Sequence, residues 1–427
     1  MNVEIINTGS ELMLGRTLNT HQQWLCRNLA DLGYPVTRQV AIADAGITIQ
    51  LVVKEALTRA DLIIVTGGLG PTSDDITRDL ISELLGKPLR DDPAVAEHIR
   101  RLFAKRNRPM PARVFAETRV PEGARVLMNQ FGTAPGLVMQ VNPNPYRANG
   151  QPAWLVMLPG PPRELRPMFT DQVVPFIRAE LPLERPFVVH TLRTLGLGES
   201  YIEELIDAPL KPLTDAGLGL GYCARMGEVE LRFVGEGERA VELVAEAERI
   251  VHGLLGPYIY ANEDESLEAS IVRKLTELNQ TIAFAESCTG GYVTNRITNV
   301  PGASRVLLAG LITYSNEAKQ KFLGVAEETL KANGAVSEPT AREMAEGARR
   351  AIGSDYAVSI TGIAGPDGGS VEKPVGTVFI ALASAKETVC VRMTNRYDRE
   401  TFKYVTSNQA LDLLRRATNG LPPLTAN

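Results

Sequence analysis

Two short segments in the last third of the chain carry side chains that could perform nucleophilic chemistry together. Ala285–Gly291 (AESCTGG) contains a serine at position 287, and Thr313–Lys319 (TYSNEAK) ends in a lysine. A serine hydroxyl is a poor nucleophile unless a neighbouring base takes its proton. Because no histidine follows His252, these segments cannot build a Ser-His-Asp triad. We therefore expect Lys319, desolvated at a strand end, to act as the base for Ser287.

Each of these residues also has an ordinary structural interpretation. Ser287 could cap a helix, and Lys319 could lie on a solvated helix face. Tyr314 could order the lysine or pack as a core aromatic at a strand end. Cys288 is a rival nucleophile, intrinsically better than serine, but it could equally be a small buried core residue. Spacing and chemistry alone leave the choice between Ser287 and Cys288 open.

A helix is predicted to open directly after this serine. The backbone amides of Thr289, Gly290 and Gly291 would then lie at its N-terminus. Amides in that position could stabilise the oxyanion of a tetrahedral intermediate.

A glycine-rich turn in the first third of the chain has the composition of an anion-binding site. Thr66–Thr77 (TGGLGPTSDDIT) ends a buried strand and leads to a helix predicted to start near Asp75. Glycines let the backbone approach a ligand closely, and free amides at a helix N-terminus favour an anion. The alternative is a plain turn in which Asp74 or Asp75 caps the helix. The candidate contacts are Gly67, Gly68, Gly70, Thr72 and Asp74.

Two other predicted strand ends strengthen the case for a ligand site. Gly9-Ser10-Glu11 follows one strand, and Pro159-Gly160 follows another. Open parallel sheets bind ligands at the carboxyl ends of their strands. We therefore predict a phosphate or nucleotide site that includes Gly9, Glu11, Pro159 and Gly160.

The elements that would position these residues form two α/β series with a smaller module between them. Alternation of strands and helices predicts a parallel sheet covered by helices in each series. The first series has predicted strands at Val3–Thr8, Tyr34–Ile42, Asp61–Thr66 and Ala153–Leu158, and predicted helices at Thr17–Leu32 and Ile47–Thr58. The middle module has strand patterns at Phe187–Leu195 and Val229–Val234 and helical patterns at Ser200–Ile206 and Glu238–Leu254. The last series has predicted strands at Thr281–Ala285, Val306–Tyr314, Tyr356–Ile360, Val375–Ala383 and Thr388–Thr394, and predicted helices at Ser266–Leu278, Glu338–Ile352 and Arg399–Arg416.

Length and composition agree with such a chain and exclude several protein classes. With 427 residues, 44% hydrophobic and 22% charged, the chain has material for two or three globular domains and is neither collagenous nor low-complexity. Its formal net charge of -5 counts against a general polyanion-binding role. Four scattered cysteines and four scattered histidines do not predict a zinc site or a disulfide framework. No apolar run is long enough for a membrane span, and we expect a cytoplasmic protein.

The first-series motifs resemble the molybdopterin-binding fold, whose pattern is a G-G-T-G turn, an aspartate a few residues later and a P-G turn near the end. This chain has Leu69 where that pattern has threonine. The resemblance matches Asp75 to the aspartate of the loop and Asp44 to the second acidic position.

The longer pattern resembles the N-terminal domain of the CinA (competence/damage-inducible) family. It combines Asn7–Leu12 (NTGSEL), Gly15, Asn19-Thr20 and the whole Thr66–Thr77 segment. The resemblance implies a metal-dependent ADP-ribose pyrophosphatase, with a divalent ion (Mg, Mn or Co) held by Asp44 and Asp75. Asn19 joins the nucleotide-binding set on the same basis. Glu11 is a further candidate ligand, although each carboxylate could also be a cap or a surface charge.

The last series is similar to the nicotinamide-nucleotide amidase domain of the same family. The similarity rests on AESCTGG, TYSNEAK, Ser359–Gly369 (SITGIAGPDGG) and Lys373–Val378 (KPVGTV). It implies deamidation of nicotinamide mononucleotide (NMN), with Ser287 as nucleophile, Lys319 as base and no metal cofactor. By the same resemblance, the ribose phosphate would be held by Gly362, Gly365, Gly368 and, less strongly, Arg399.

The middle module occupies the place of the KH-like domain of this family. Eight Lys and Arg against fourteen Asp and Glu in residues 173–262 lead us to expect a structural or dimer-forming unit rather than a nucleic-acid binder. We predict domains at 1–172, 173–255 and 266–420, joined by a linker at 256–265. The expected fold class is α/β, with a three-layer parallel-sheet domain, a small α+β module and a second α/β domain.

The sequence therefore predicts an enzyme of pyridine nucleotide salvage with two activities, acting on NMN and ADP-ribose. A homodimer is expected from the resemblance only, and no membrane partner is expected. The alternative is a non-catalytic pterin- or nucleotide-binding protein that serves competence or recombination partners.

Overall fold

The structure is a computed structural model of the chain and describes residues 1–262 and 265–423. The chain divides into two compact units, the second of which begins at Val188. None of its helices combines the length and the apolar character that crossing a membrane requires.

The first unit is built on one six-stranded sheet. The unit has eight described strands, six in this sheet and two in a separate pair. They are β1 (Val3–Thr8), β2 (Val36–Ile42), β3 (Leu62–Thr66), β4 (Leu89–Asp91), β5 (Arg119–Pro121), β6 (Arg125–Leu127), β7 (Gly136–Val141) and β8 (Ala153–Leu158). Its helices are α1 (Ser10–Met13), α2 (Thr20–Asp31), α3 (Gly46–Leu57), α4 (Thr77–Leu84), α5 (Pro93–Lys105), α6 (Pro162–Met168) and α7 (Val174–Glu180).

The strand order of this sheet is β2-β1-β3-β8-β7-β6, while β4 and β5 form a separate pair. β1, β2, β3 and β8 run parallel, and β7 and β6 continue the sheet antiparallel. Every residue of β1 and of β3 is buried, as expected for central strands with helices on both faces. The ends of β1, β3 and β8 therefore meet at one edge of the sheet.

The second unit begins with a four-stranded sheet of order β10-β11-β9-β12, on which two helices pack. The elements are β9 (Phe187–Leu195), α8 (Glu199–Asp215), β10 (Gly219–Arg225), β11 (Glu228–Glu236), α9 (Ala240–Leu255) and β12 (Ile259–Asn262). β12 falls within the predicted linker 256–265 and pairs antiparallel with β9. Residues 263 and 264 of that linker lie outside the described residues.

A five-stranded sheet of order β14-β13-β15-β16-β17 completes the second unit. The elements are α10 (Leu267–Leu278), β13 (Ile282–Glu286), α11 (Tyr292–Thr298), β14 (Leu307–Ile312), α12 (Asn316–Leu323), α13 (Glu327–Asn333), α14 (Glu338–Ile352), β15 (Tyr356–Gly362), β16 (Thr377–Ala383), β17 (Thr388–Thr394) and α15 (Arg399–Thr418). β14, β13 and β15 run parallel, and β16 and β17 form an antiparallel extension. The predicted α/β class is therefore confirmed.

The structure corrects several predicted elements. The helix predicted from Thr17 begins at Thr20, because the Asn19 side chain accepts a hydrogen bond from the Gln22 amide and caps it. α8 continues to Asp215 through two prolines, well beyond the predicted end at Ile206. The sequence prediction gave no bounds for α5 or β7 and missed β10.

Candidate functional sites

Ser287 and Lys319 meet at the ends of two adjacent parallel strands. The Lys319 Nζ lies 3.1 Å from the Ser287 Oγ, and it also donates to the carbonyl oxygens of Thr313 at 2.8 Å and of Tyr314 at 3.3 Å. Lys319 is only 1% exposed and Ser287 8%. We call this pair the serine–lysine site.

Local structure explains why the two side chains converge. β13 and β14 run side by side with Glu286 opposite Ile312, so the residues that follow both strands emerge at the same level. The Ser315 Oγ accepts from the Ala318 amide and caps α12. Lys319 lies one turn inside that helix, with its amide bonded to the Ser315 carbonyl. The lysine stem therefore runs back under the strand ends instead of into solvent.

Burial sets the protonation behaviour of this site. Desolvation lowers the pKa of Lys319 below its ordinary 10.5, although the nearby Cys288 opposes the shift. A neutral amine would keep two hydrogens on the carbonyl oxygens of Thr313 and Tyr314, and its lone pair would face the Ser287 hydroxyl. Desolvation also raises the pKa of Cys288 to about 12. The cysteine therefore stays a neutral thiol, which is the weakly nucleophilic form.

The turn after Ser287 is held by a carboxylate that the sequence prediction left without a role. Glu286 is fully buried and accepts hydrogen bonds from the amides of Gly291, Val293 and Thr294 and from the Thr294 hydroxyl. An acidic group at the helix N-terminus satisfies the orphan amides there and interacts favourably with the helix dipole. Glu286 thereby fixes α11 behind the serine.

This arrangement corrects the predicted oxyanion site. The Gly291 amide is taken by Glu286, and the Gly290 amide donates to the Ser287 carbonyl at 3.1 Å. Of the three predicted amides, only that of Thr289 makes no hydrogen bond to the described residues. Gly291 is instead required by the shape of the turn, because its φ of 91° suits glycine and an added Cβ would lie 2.9 Å from the Ile312 side chain.

Tyr314 and Arg399 lie at the mouth of the serine–lysine site. Tyr314 is 62% exposed, and its hydroxyl accepts from the Arg399 Nη2 at 3.0 Å, so only its backbone carbonyl contacts the lysine. Arg399 Nη1 also donates to the Gly365 carbonyl at 2.8 Å, which ties the Gly362–Gly369 loop to the site. A cavity of about 200 Å³ is lined by Ser287, Cys288, Tyr314, Lys319, Ala335, Val336, Thr361, Gly362, Ala364 and Arg399. Of the residues predicted to hold the ribose phosphate, Gly362 and Arg399 line this cavity, whereas Gly365 and Gly368 do not.

The three predicted strand ends of the first unit also meet. They enclose a cavity of about 340 Å³, which we call the first-unit cavity. Its lining includes the predicted residues Gly9, Glu11, Asp44, Gly67, Gly68, Gly70, Asp74, Asp75, Pro159 and Gly160. Asn19 is not in the lining, because its side chain caps α2. Thr72 is also absent from the lining, and its amide and hydroxyl donate to Asp75.

The backbone of the glycine turn packs closely against the first residue of α4, and no side chain of the turn caps that helix. Gly68 has a φ of 67°, and an added Cβ would lie 2.0 Å from the Thr77 Oγ1. α4 begins at Thr77, two residues later than predicted, and its N-cap residue Ile76 makes no side-chain cap. Asp75 accepts a hydrogen bond from the Thr72 amide within the turn, and neither Asp74 nor Asp75 caps the helix, as the alternative interpretation of this segment required.

The charge of the first-unit cavity indicates what could bind there. Six carboxylate residues line it, Glu11, Asp44, Asp74, Asp75, Glu117 and Glu164, and none of its lining residues within the described ranges is Lys or Arg. A pyrophosphate would be repelled from such a surface unless a cation came with it.

The donor set fits a hard divalent ion. Asp44 accepts from the Ser10 amide at 2.8 Å and Asp75 from the Thr72 amide at 2.9 Å, in each case through Oδ2, so Oδ1 of each carboxylate is available. No three Asp, Glu, His or Cys side chains of residues 1–262 and 265–423 form a ready-made metal cluster. Mg²⁺ is commonly held by one or two carboxylates together with waters and substrate phosphates, which matches this arrangement.

The cavity has a second wall that the sequence prediction missed. It consists of Glu117, Thr133, Ala134 and Glu164. Asn129 Nδ2 donates to the Glu164 Oε2 at 2.8 Å and to the Ala134 carbonyl at 2.9 Å. Glu164 follows the Pro159-Gly160 turn, but Glu117, Thr133 and Ala134 follow no glycine-rich strand end, so no motif points to them in the sequence.

Comparison with known proteins adds three family matches. The family model of the CinA C-terminal domain matches residues 264–418, that of the probable molybdopterin-binding domain matches residues 4–179, and that of the damage-inducible protein CinA KH domain matches residues 189–261.

Full-length relatives cover nearly the whole chain. A "CinA-like protein" from Akkermansia muciniphila is 43% identical over 96% of this chain and 95% of its own length. A "putative competence-damage inducible protein" from Symbiobacterium thermophilum is 44% identical over 90% of this chain and 88% of its own length. Among solved structures, the competence/damage-inducible protein CihA from Agrobacterium tumefaciens is 41% identical and covers 36% of this chain and 93% of its own, with a TM-score of 0.35.

Proposed function

The chain belongs to the CinA family of competence/damage-inducible proteins, and from that premise we propose that its second unit is a nicotinamide-nucleotide amidase. The observation that carries the proposal is the 3.1 Å contact between the buried Lys319 Nζ and the Ser287 Oγ. A nucleophile in hydrogen-bond contact with a desolvated base is what amide cleavage by a serine requires.

The proposed reaction passes through an ester on Ser287. Lys319 takes the hydroxyl proton while the Ser287 oxygen attacks the carboxamide carbon of NMN. The same lysine then returns the proton to the amide nitrogen, the C–N bond breaks and ammonia leaves. Water, deprotonated by Lys319, attacks the ester and releases nicotinic acid mononucleotide, and the proton returns to Ser287. Arg399, at the cavity mouth, supplies the positive charge for the substrate phosphate.

Single substitutions distinguish the proposed nucleophile from its neighbour. Ser287→Ala and Lys319→Ala should each reduce ammonia release from NMN by at least ~1,000-fold, because each removes half of a unit that acts together. Cys288→Ala should keep most of the activity, since its thiol stays protonated. Ammonia and nicotinic acid mononucleotide are both quantified. An active Ser287→Ala variant with an inactive Cys288→Ala variant would overturn the assignment.

We propose a second activity, metal-dependent hydrolysis of ADP-ribose, for the first unit. It is supported by the glycine turn, which offers a close backbone approach, and by the acidic lining, which requires a cation before a pyrophosphate can enter. Asp44 and Asp75 would hold the ion. A bound divalent ion would neutralise the pyrophosphate and polarise a phosphoryl oxygen.

Chelation and one substitution test this second activity. Release of AMP from ADP-ribose should stop in EDTA, return with Mg²⁺, Mn²⁺ or Co²⁺, and be lost in Asp75→Ala. The matched control is Ser287→Ala, which should hydrolyse ADP-ribose at the rate of the unchanged protein. Turnover that persists in the chelator would contradict the proposal. Binding of a pterin or of single-stranded DNA without turnover of either nucleotide would favour a non-catalytic role.

A further inference from the structure

One buried carboxylate in the first unit has an oxygen without a partner. Glu117 lies in a 3-10 segment, Ala112–Thr118, and is 1% exposed. Its Oε2 makes no hydrogen bond within the described part of the chain. The side chain lines the first-unit cavity together with Thr133.

The surrounding wall is tightly bonded. Asn129 Oδ1 accepts from the amides of Phe131 at 3.0 Å and Gly132 at 2.8 Å, which fixes the loop that carries Thr133. The Glu117 Oε2 differs from these atoms because it has no hydrogen-bond partner among the described residues. Buried polar atoms are almost always paired, and an unpaired one in a cavity indicates a group that a ligand or a reaction uses.

We propose that Glu117 is the general base of the first unit, taking a proton from the water that attacks the pyrophosphate of ADP-ribose. This inference rests on the proposed ADP-ribose hydrolysis and adds its proton acceptor. The water oxygen forms a bond to one phosphorus, the bond from that phosphorus to the bridging oxygen breaks, and AMP and ribose 5-phosphate leave. The water proton goes to the Glu117 Oε2 and from there to solvent.

The electrostatic surroundings agree with this role. Burial raises the pKa of Glu117 to about 7; the hydrogen bond from Thr133 and the charge of Arg78 oppose the shift, while Asp75 and Glu164 reinforce it. A general base works best when its pKa lies near the working pH. At neutral pH a large fraction of Glu117 would therefore be in the carboxylate form that accepts a proton.

The first test replaces the base by its neutral isostere in the full-length protein. Glu117→Gln should lower kcat for ADP-ribose by ~100-fold or more and leave KM nearly unchanged, whereas Glu117→Asp should recover part of the loss. The matched control is Glu122→Gln, an exposed residue nearby that pairs with Arg90, which should behave as the unchanged protein. Thermal unfolding of each variant verifies that the first unit is folded.

A pH profile separates a base from a merely structural residue. In the unchanged protein kcat/KM should rise with pH and level off above about 7. Thr133→Val removes a hydrogen bond that favours the carboxylate, so it should move the rise to higher pH; Glu117→Gln should abolish it.

The outcomes distinguish this inference from the function on which it rests. If the unchanged protein hydrolyses ADP-ribose and folded Glu117→Gln does so equally well, or keeps the same pH profile, the assignment of Glu117 is overturned while the activity stands. If the unchanged protein does not hydrolyse ADP-ribose under any of the three metals, the proposed activity and its base are both overturned.

Discussion

Lys319 combines two properties that rarely occur together in a lysine: it is buried, and none of the described residues places a carboxylate against its ammonium group. Its nitrogen is surrounded by three oxygens that are all neutral, those of Ser287, Thr313 and Tyr314. Neutral acceptors do not stabilise an ammonium as a carboxylate would, so desolvation dominates and the pKa of Lys319 falls. The Lys319 amine therefore loses its proton at a lower pH than an exposed lysine does, as a general base requires.

The pH dependence of the amidase follows from this shift. In the proposed mechanism Lys319 acts as a base only when deprotonated, so kcat/KM for NMN should rise with pH, with the midpoint of the rise at the lowered pKa, below 10.5. Lys319→Arg keeps a cation but cannot lose its proton in the accessible range. We expect it to be inactive at every pH between 6 and 10.

Ammonia release measured across that range tests the prediction. The conservative variant Thr313→Ser serves as the control, because the oxygen that contacts Lys319 belongs to the Thr313 backbone. Activity of Lys319→Arg near that of the unchanged protein would show that position 319 contributes charge and not proton transfer.

At the scale of elements, the helices and strands predicted most accurately are those whose sequence has a clear periodicity over its whole length. Glu338–Ile352 and Thr388–Thr394 have the predicted bounds, because an apolar stripe on a helix and alternation in a strand are local signals. β10 was missed because its Gly219–Arg225 segment owes its conformation to pairing with β11, a tertiary effect that overrides propensity. β12 was read as linker for the same reason.

The residues of the two candidate sites also differ in whether a local sequence motif identifies them. Ser287, Lys319 and the glycine turn could be found because each follows a strand end and carries a distinctive run of residues. Glu286 occurs in the same motif, but its role in holding α11 depends on how the chain folds back over eight residues. Glu117 and Thr133 come from separate loops that only the folded sheet brings to one cavity. No sequence spacing predicts that Glu117 and Thr133 lie in the same cavity.

At the scale of the whole molecule, the middle module and the CinA C-terminal domain share one compact unit. Glu228, the buried first residue of β11, joins them: its Oε2 accepts from the Tyr260 hydroxyl at 2.9 Å and its Oε1 from the Asn408 amide at 3.1 Å. Asn408 in turn accepts from Arg296 of α11 at 2.6 Å. A chain of polar contacts therefore runs from the small sheet to the helix that follows the nucleophile.

One acidic residue of the middle module, Glu228, has a specific set of hydrogen-bond partners. Glu228 receives donors from α15 and β12, and Arg415 of α15 donates to the carbonyl oxygens of Pro257 and Ile259 at 2.9 and 3.2 Å. These contacts tie the middle module to the CinA C-terminal domain. That the module is a structural or dimer-forming unit stays a prediction.

Glu228→Gln should therefore weaken the second unit without changing its chemistry. The amide group would present a donor where only donors converge, and one broken buried hydrogen bond costs about 1–3 kcal/mol. We expect the urea midpoint for loss of amidase activity to fall, while kcat in the absence of urea stays unchanged, because Ser287 and Lys319 make their hydrogen bonds elsewhere. Glu236→Gln, at the exposed end of the same strand, should leave the midpoint unaltered. A lower kcat with an unchanged midpoint would instead show that the polar chain tunes α11 and, through it, the nucleophile.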